Sequence, residues 1–148
     1  MAPSLLTEDE LRRIASTIAE TEAATSGEIR VNIHKRRSWG ERKLSLHDLA
    51  LKHFHALGMH VTKEKTGVLI FLCLKDRAFH IVADKGIHSK IHQEYWDALA
   101  ETMGRHFKSE KFCEGICFAV REIGSLLAKE FPVGDGDTNE LPNDVSFS

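Results

Sequence analysis

Apolar residues recur along the chain with two different periods, and the changes of period mark the elements. In "TEDELRRIASTIAETEAATSG", Leu11, Ile14, Ala15, Ile18, Ala19 and Ala23 fall at helical spacing, which gives a helix with one apolar face. Thr7 and Glu10 have the spacing of a capping box, and Gly27 suits the left-handed position that closes a helix. "EIRVNIH" alternates. Ile29, Val31 and Ile33 point one way, and Glu28, Arg30, Asn32 and His34 the other, which predicts a strand with one face in the core and one face solvated. "KRRSWGERK" reads as a loop. "LSLHDLALKHFHALG" returns to the helical period, with Ser45 as cap, Leu49, Ala50, Phe54 and Leu57 as the buried stripe and Gly58 as the stop. "GVLIFLCL" is apolar on both faces and reads as a central strand. "AFHIVADKG" follows after only "KDR", so it is an antiparallel partner. "IHQEYWDALAETMGRHF" and "KFCEGICFAVREIGSLLAKEF" are two further helices. The second has the broader apolar face, and Pro132 ends it.

The order helix, strand, helix, strand, strand, helix, helix predicts an α/β fold: a three-layer α/β/α sandwich with a small mixed sheet flanked by helices on both faces. The first two strands, joined by a helix, run parallel. A chain of 148 residues suits a single domain, here over 1–132. Residues 133–148, "VGDGDTNELPNDVSFS", show no periodicity and form a C-terminal tail.

Composition narrows the function classes. A net charge of −2 gives no basic excess for nucleic-acid binding. The start, "MAPSLLTEDE", has no basic region followed by an apolar stretch, so no signal peptide is expected. The longest apolar run, Val68 to Leu74, falls far short of the roughly 20 residues of a transmembrane segment. The three cysteines, Cys73, Cys113 and Cys117, sit at core-like positions without a C-x-x-C pair, as reduced thiols would in a cytoplasmic protein.

The phrases "TSGEIRV", "TGVLIFLCLKDRAFHIVADKGI" and "MGRHFKSEKFCEGICFAVREIGSLLAKEFP", in this order, resemble the TPM-domain family, named for thylakoid lumenal, photosystem-repair and receptor-modulating proteins. The resemblance runs from about Leu6 to Pro132, and "DTNELPNDVS" is similar to the tail of a short bacterial branch. It implies an α/β/α sandwich. It also implies roles found among members: acid phosphatase activity, calcium binding, or service as an accessory factor to membrane complexes. Exported members usually carry an acidic entry segment and a membrane helix or Gly-rich tail. Here "SLLTEDE" takes the place of the acidic entry and no such apolar span follows.

Chain direction sorts the polar residues between the two edges of the sheet. The edge where the first strand starts gathers Gly27, Glu28, Thr66, Gly67, Asp84, Lys85, Gly86, Ile87 and His88. Glu28 and Asp84 are candidate oxygen ligands for calcium or magnesium. Gly27 and Gly86 would let a ligand approach the backbone, and the remaining residues would line the pocket. The bland alternative makes Gly27 a helix stop, Glu28 a solvated strand start and Asp84 a cap. The opposite edge, at the carboxyl ends of the parallel strands, gathers His34 and Lys75 together with Lys35, Arg36, Arg37, Asp76 and Arg77, the last five as a secondary anion site or simply as a solvated loop. Trp39 beside them is a lid, a partner-binding aromatic or a core residue of the loop.

Other patterns are weaker. "DGDTNE", Asp135 to Glu140, opens like a calcium loop but lacks the glycine at position six. His53 and His55 cannot share a helix face, and His88 and His92 can but lack a third ligand. No G-x-S-x-G, P-loop or dinucleotide fingerprint occurs. The expected function is therefore a binding or accessory module with a divalent-cation site at one edge of the sheet and an unidentified protein partner. The alternative is a metal-dependent acid phosphatase acting on phosphate monoesters.

Overall fold

The computed structural model describes residues 6–62, 65–133 and 145–148. Helix α1 (Glu8–Glu22) opens with the capping box read from the sequence: Thr7 Oγ1 accepts from the Glu10 amide at 3.1 Å and Glu10 Oε1 accepts from the Thr7 amide at 3.0 Å. Strand β1 (Glu28–His34) leads through a 3₁₀ turn at Trp39–Glu41 to α2 (Leu46–Ala56), and a second turn at Met59–Val61 leads to β2 (Gly67–Cys73). Then come β3 (Ala78–Ala83), a single turn α3 (Lys85–His88), α4 (Gln93–Lys108), α5 (Phe112–Glu130) and a two-residue β4 (Ser146–Phe147).

The sheet order is β3-β2-β1-β4. β1 and β2 are parallel, β2 and β3 antiparallel, as the connection lengths require, and β4 lies parallel to β1 at Asn32 and Ile33. This is a mixed sheet between two helical layers. On one face Ile29, Val31, Ile33, Val68, Ile70 and Leu72 pack under α1, α4 and α5. On the other, Leu69, Phe71, Cys73 and Val82 pack under α2 and Met59. All seven residues of β2 are buried, which is why its sequence is apolar throughout.

Three sequence expectations change. The polar face of β1 is not solvated: Glu28 is 3%, Asn32 0% and His34 7% exposed, because α2 covers that face and β4 closes the strand's outer edge. The last residues of the tail supply that strand; two residues are too few to show a period. Gly27 has no left-handed conformation, whereas Gly58 does, at φ 73°. Gly27 instead makes room for α5, since a Cβ there would lie 2.9 Å from Leu127 Cδ1.

A glycine also lets two helices approach closely. A Cβ on Gly124 of α5 would lie 2.6 Å from Thr21 Cβ on α1. Gly124→Val is therefore expected to lower stability by about 2–3 kcal/mol through overpacking. Denaturant unfolding checks this, and an unchanged midpoint would mean that the helices separate freely here.

Candidate functional site

At the carboxyl ends of the parallel strands, three side chains from three different elements meet. His34 is the last residue of β1, Glu41 closes the 3₁₀ turn, and His53 lies on α2. One donor atom from each lies within 4.8 Å of the others. Glu41 is 2% exposed and sits at the centre. Its Oε1 is 2.9 Å from His34 Nε2 and accepts from the Ser38 amide at 2.8 Å. Its Oε2 is 3.2 Å from His53 Nε2 and 3.0 Å from Lys52 Nζ. Burial pushes the Glu41 carboxyl up, but the Ser38 amide, Lys52 and the two histidines together hold it well below the ordinary carboxylate range. Burial holds His53 below the ordinary imidazole range, against the pull of Glu41.

The other nitrogen of His34 fixes the orientation of the ring. Ser148 Oγ donates its one proton to Asn32 Oδ1 at 3.0 Å, so toward His34 Nδ1, 2.9 Å away, it acts as acceptor. The chain continues in one direction: Asn32 Nδ2 donates to Ser146 Oγ at 2.8 Å, and Ser146 Oγ donates to the Val31 carbonyl at 3.2 Å. With Nδ1 as donor, His34 turns Nε2 toward a carboxylate oxygen. That contact is attractive only with a positive charge on the axis between them, from a second ring proton or from a cation.

The neighbouring loop carries the basic residues. Arg36, Arg37, Arg42, Lys75 and Asp76 line a recess of about 400 Å³. Arg37 is committed to the loop itself, because Nε donates to Asp76 Oδ2 at 2.6 Å and Nη1 to the Glu41 and Leu44 carbonyls at 2.9 and 2.6 Å. Lys35 is exposed, and its amide donates to the Ser148 carbonyl at 3.0 Å. Arg77 lies in the β2–β3 turn with φ 51° and does not line this recess. Trp39 is 81% exposed, with Arg42 4.4 Å above its ring.

The opposite edge is assembled by backbone bonds: Glu28 N–H to the Thr66 carbonyl, Asp84 N–H to the Gly67 carbonyl and Gly86 N–H to the Lys65 carbonyl, at 2.9–3.0 Å. Glu28 and Asp84 flank Gly67, so their Cα atoms stand two strand spacings, roughly 10 Å, apart. The space over Gly67 is filled, since a Cβ there would lie 2.8 Å from the Met59 carbonyl oxygen. Asp84 Oδ1 accepts from the Lys85 amide at 2.8 Å as the cap of α3. Ile87 is in the core, and Lys85 and His88 are exposed. Glu28 lies against Glu22 at the end of α1. Burial first, then the hydrogen bond with Glu28, pushes the Glu22 carboxyl up to about 9, although the Ile29 amide donates to it at 2.7 Å.

The remaining candidates are less productive. Cys113 and Cys117 have their sulfurs 4.0 Å apart in the core, and burial pushes the Cys113 thiol up to about 12. "DGDTNE" lies outside the described residues. Sequence reasoning placed neither Glu41 nor Ser148 at a site, and it set His53 aside. The signals that mattered were the histidine ending the polar face of β1 and an acid in the loop that follows.

One helix on one side of a mixed sheet and three on the other make the chain an α/β/α sandwich domain. The TPM domain model matches residues 2–126, and the chain belongs to that family. No curated protein matches it. The NMR structure of the BA42 protein from the psychrophilic bacterium Bizionia argentinensis is similar at 34% identity and a TM-score of 0.89, covering 100% of this chain and 99% of its own. The N-terminal domain of a P. gingivalis protein (19% identity, 86% and 80% coverage, TM-score 0.69) shares the fold. So does that of cg2496 from Corynebacterium glutamicum (12%, 91% and 81%, 0.63).

The Glu22–Glu28 pair has a consequence for stability. A carboxyl whose folded pKa is raised binds a proton in the folded state that the unfolded chain releases above about 4.5, so stability falls as pH rises from there toward 9. Glu22→Gln keeps an acceptor for Ile29 and a donor for Glu28. It should flatten that slope and stabilise the protein at pH 8 by at least about 1.4 kcal/mol, the equivalent of one pKa unit. Urea unfolding at several pH values measures it.

Proposed function

We propose that this TPM domain is a divalent-metal-binding module whose ion sits among His34 Nε2, Glu41 and His53 Nε2. The observation that carries the reading is the orientation of His34: the Ser148–Asn32 chain engages Nδ1 and leaves Nε2 facing Glu41. Metal-bound imidazoles are commonly fixed in this way by a hydrogen bond on the far nitrogen. The donor set is two imidazoles and a carboxylate, which suits zinc and similar first-row ions better than calcium or magnesium, whose ligands are oxygens. The two imidazole–carboxylate separations, 2.9 and 3.2 Å, lie close to the about 3.3–3.4 Å set by tetrahedral zinc with bonds of about 2.0–2.1 Å, and one donor atom from each of the three residues lies within 4.8 Å of the others. Lys52 Nζ brings a positive charge to within 3.0 Å of Glu41 Oε2, and its side chain, 55% exposed, is free to swing into solvent when an ion binds. The near-complete burial of Glu41 and His34 favours a binding role over catalysis.

Two other readings have their own support. Glu28 and Asp84 offer oxygen donors for calcium or magnesium at the opposite edge. The recess of Arg36, Arg42 and Lys75 beside the Glu41 turn favours a phosphomonoester ligand and, with the metal, phosphatase activity.

Calorimetry of chelator-treated protein with zinc, cobalt, calcium and magnesium separates these readings. One zinc per chain is expected. Ser148→Ala should weaken it about tenfold, within the range for an outer-shell partner, and His53→Ala by more than about 100-fold. Zinc binding that is unchanged in His53→Ala overturns the assignment. Calcium or magnesium binding lost in Asp84→Asn moves the ion to the opposite edge. Turnover of p-nitrophenyl phosphate that disappears in His53→Ala establishes the phosphatase.

A further inference from the structure

A second recess, of about 330 Å³, lies on the three-helix side of the sheet, between the β2–β3 turn and the corner where α4 gives way to α5. Leu72, Leu74, Phe79, Phe107 and Phe112 make its walls apolar. Two glycines shape it from different sides. Gly104 lines it from the interior of α4, where glycine is disfavoured. Apart from its own helix backbone and chain neighbours, no atom lies within 4 Å of where a Cβ on Gly104 would stand, so packing does not require the glycine, and its effect is to leave the recess wide. Gly115 on α5 acts from behind. A Cβ there would lie 2.8 Å from Phe107 Cε1, so the missing side chain lets the Phe107 ring sit back, edge-on to Phe79 with ring centres 5.1 Å apart. The mouth carries Arg77, Lys108 and Glu110, two cations and one anion, all exposed. Arg77 and Glu110 both have positive φ, at 51° and 60°, a conformation that costs a residue with a side chain and is tolerated where the surrounding structure imposes it.

We infer that this recess binds a medium-chain fatty acid, the tail lying along Gly104 and the phenylalanine walls and the carboxylate meeting Arg77 and Lys108 at the mouth. An apolar tail is what the walls accept, and the excess of one positive charge at the rim selects a monoanion over a neutral chain. The volume is near the lower end of the range for small-molecule sites, about 300–1,000 Å³, which a medium chain suffices to fill.

Titration of the ¹⁵N-labelled full chain with octanoate, octanol and palmitate, followed by NMR, tests the inference. Octanoate should give saturable shifts centred on Phe79, Gly104, Phe107 and Phe112, with a Kd of roughly 0.1–1 mM. Octanol should bind about tenfold more weakly, the factor expected for a lost charge-assisted hydrogen bond. The double variant Arg77→Ala/Lys108→Ala should bring octanoate down to the level of octanol. Gly104→Leu, a substitution that favours the helix, should keep the folded spectrum and lose binding. The inference is overturned if octanoate does not saturate below about 5 mM. It is equally overturned if octanol matches octanoate, if palmitate binds more tightly than octanoate at this position, or if folded Gly104→Leu binds like the parent.

Discussion

Much of this structure follows from one constraint: β1 carries three polar side chains into a dry interior. Each buried polar group left without a partner would cost about 1–3 kcal/mol. Asn32 is answered by Ser146 and Ser148, His34 by Glu41 and Ser148, and Glu28 by Glu22. Each solution draws in a different piece of chain. The tail returns to lie along β1, the loop after β1 folds into a 3₁₀ turn that delivers Glu41, and the end of α1 is held against the start of the strand. The polar network and the segments around it therefore form together.

The loop after β1 shows how a run of like charges can divide its tasks. Arg37 ties the turn down through two carbonyls and Asp76, while its neighbour Arg36 faces the recess with Arg42 and Lys75. The carbonyl of Glu41 is one of the two that Arg37 holds, so the guanidinium also sets the position of the carboxylate between the histidines. A basic triplet that looks uniform in sequence is thus part clamp and part surface.

Local signals in the chain sufficed for the main elements, because their causes are local: the Thr7–Glu10 box, the unbroken apolar run of β2, and the short turn that makes β3 its antiparallel neighbour. The site was less legible. His34 and Glu41 are seven positions apart, His53 a further twelve, and Ser148 more than a hundred, and only the packing of α2 over β1 joins them. Helical geometry rightly separated His53 from His55 but says nothing about what a helix faces across a layer. The roles of Gly27 and Gly67 were hidden for the same reason: each is small because a distant segment, Leu127 or Met59, comes close to it. The solvated face expected for β1 failed because alternation shows which residues share a face, and not whether that face is covered.

The two faces of the sheet carry unequal loads. Most of the apolar contacts lie under α1, α4 and α5, whereas the side beneath α2 mixes a smaller oily patch with the histidines and acids. Cohesion and chemistry are thereby housed on opposite sides of one layer of strands. Exposed side chains on α2 and on the loop before it can be exchanged, and ligand preference altered, while the buried polar network and the larger hydrophobic body keep the fold intact. Such a domain can be put to new uses by evolution without first having to be rebuilt.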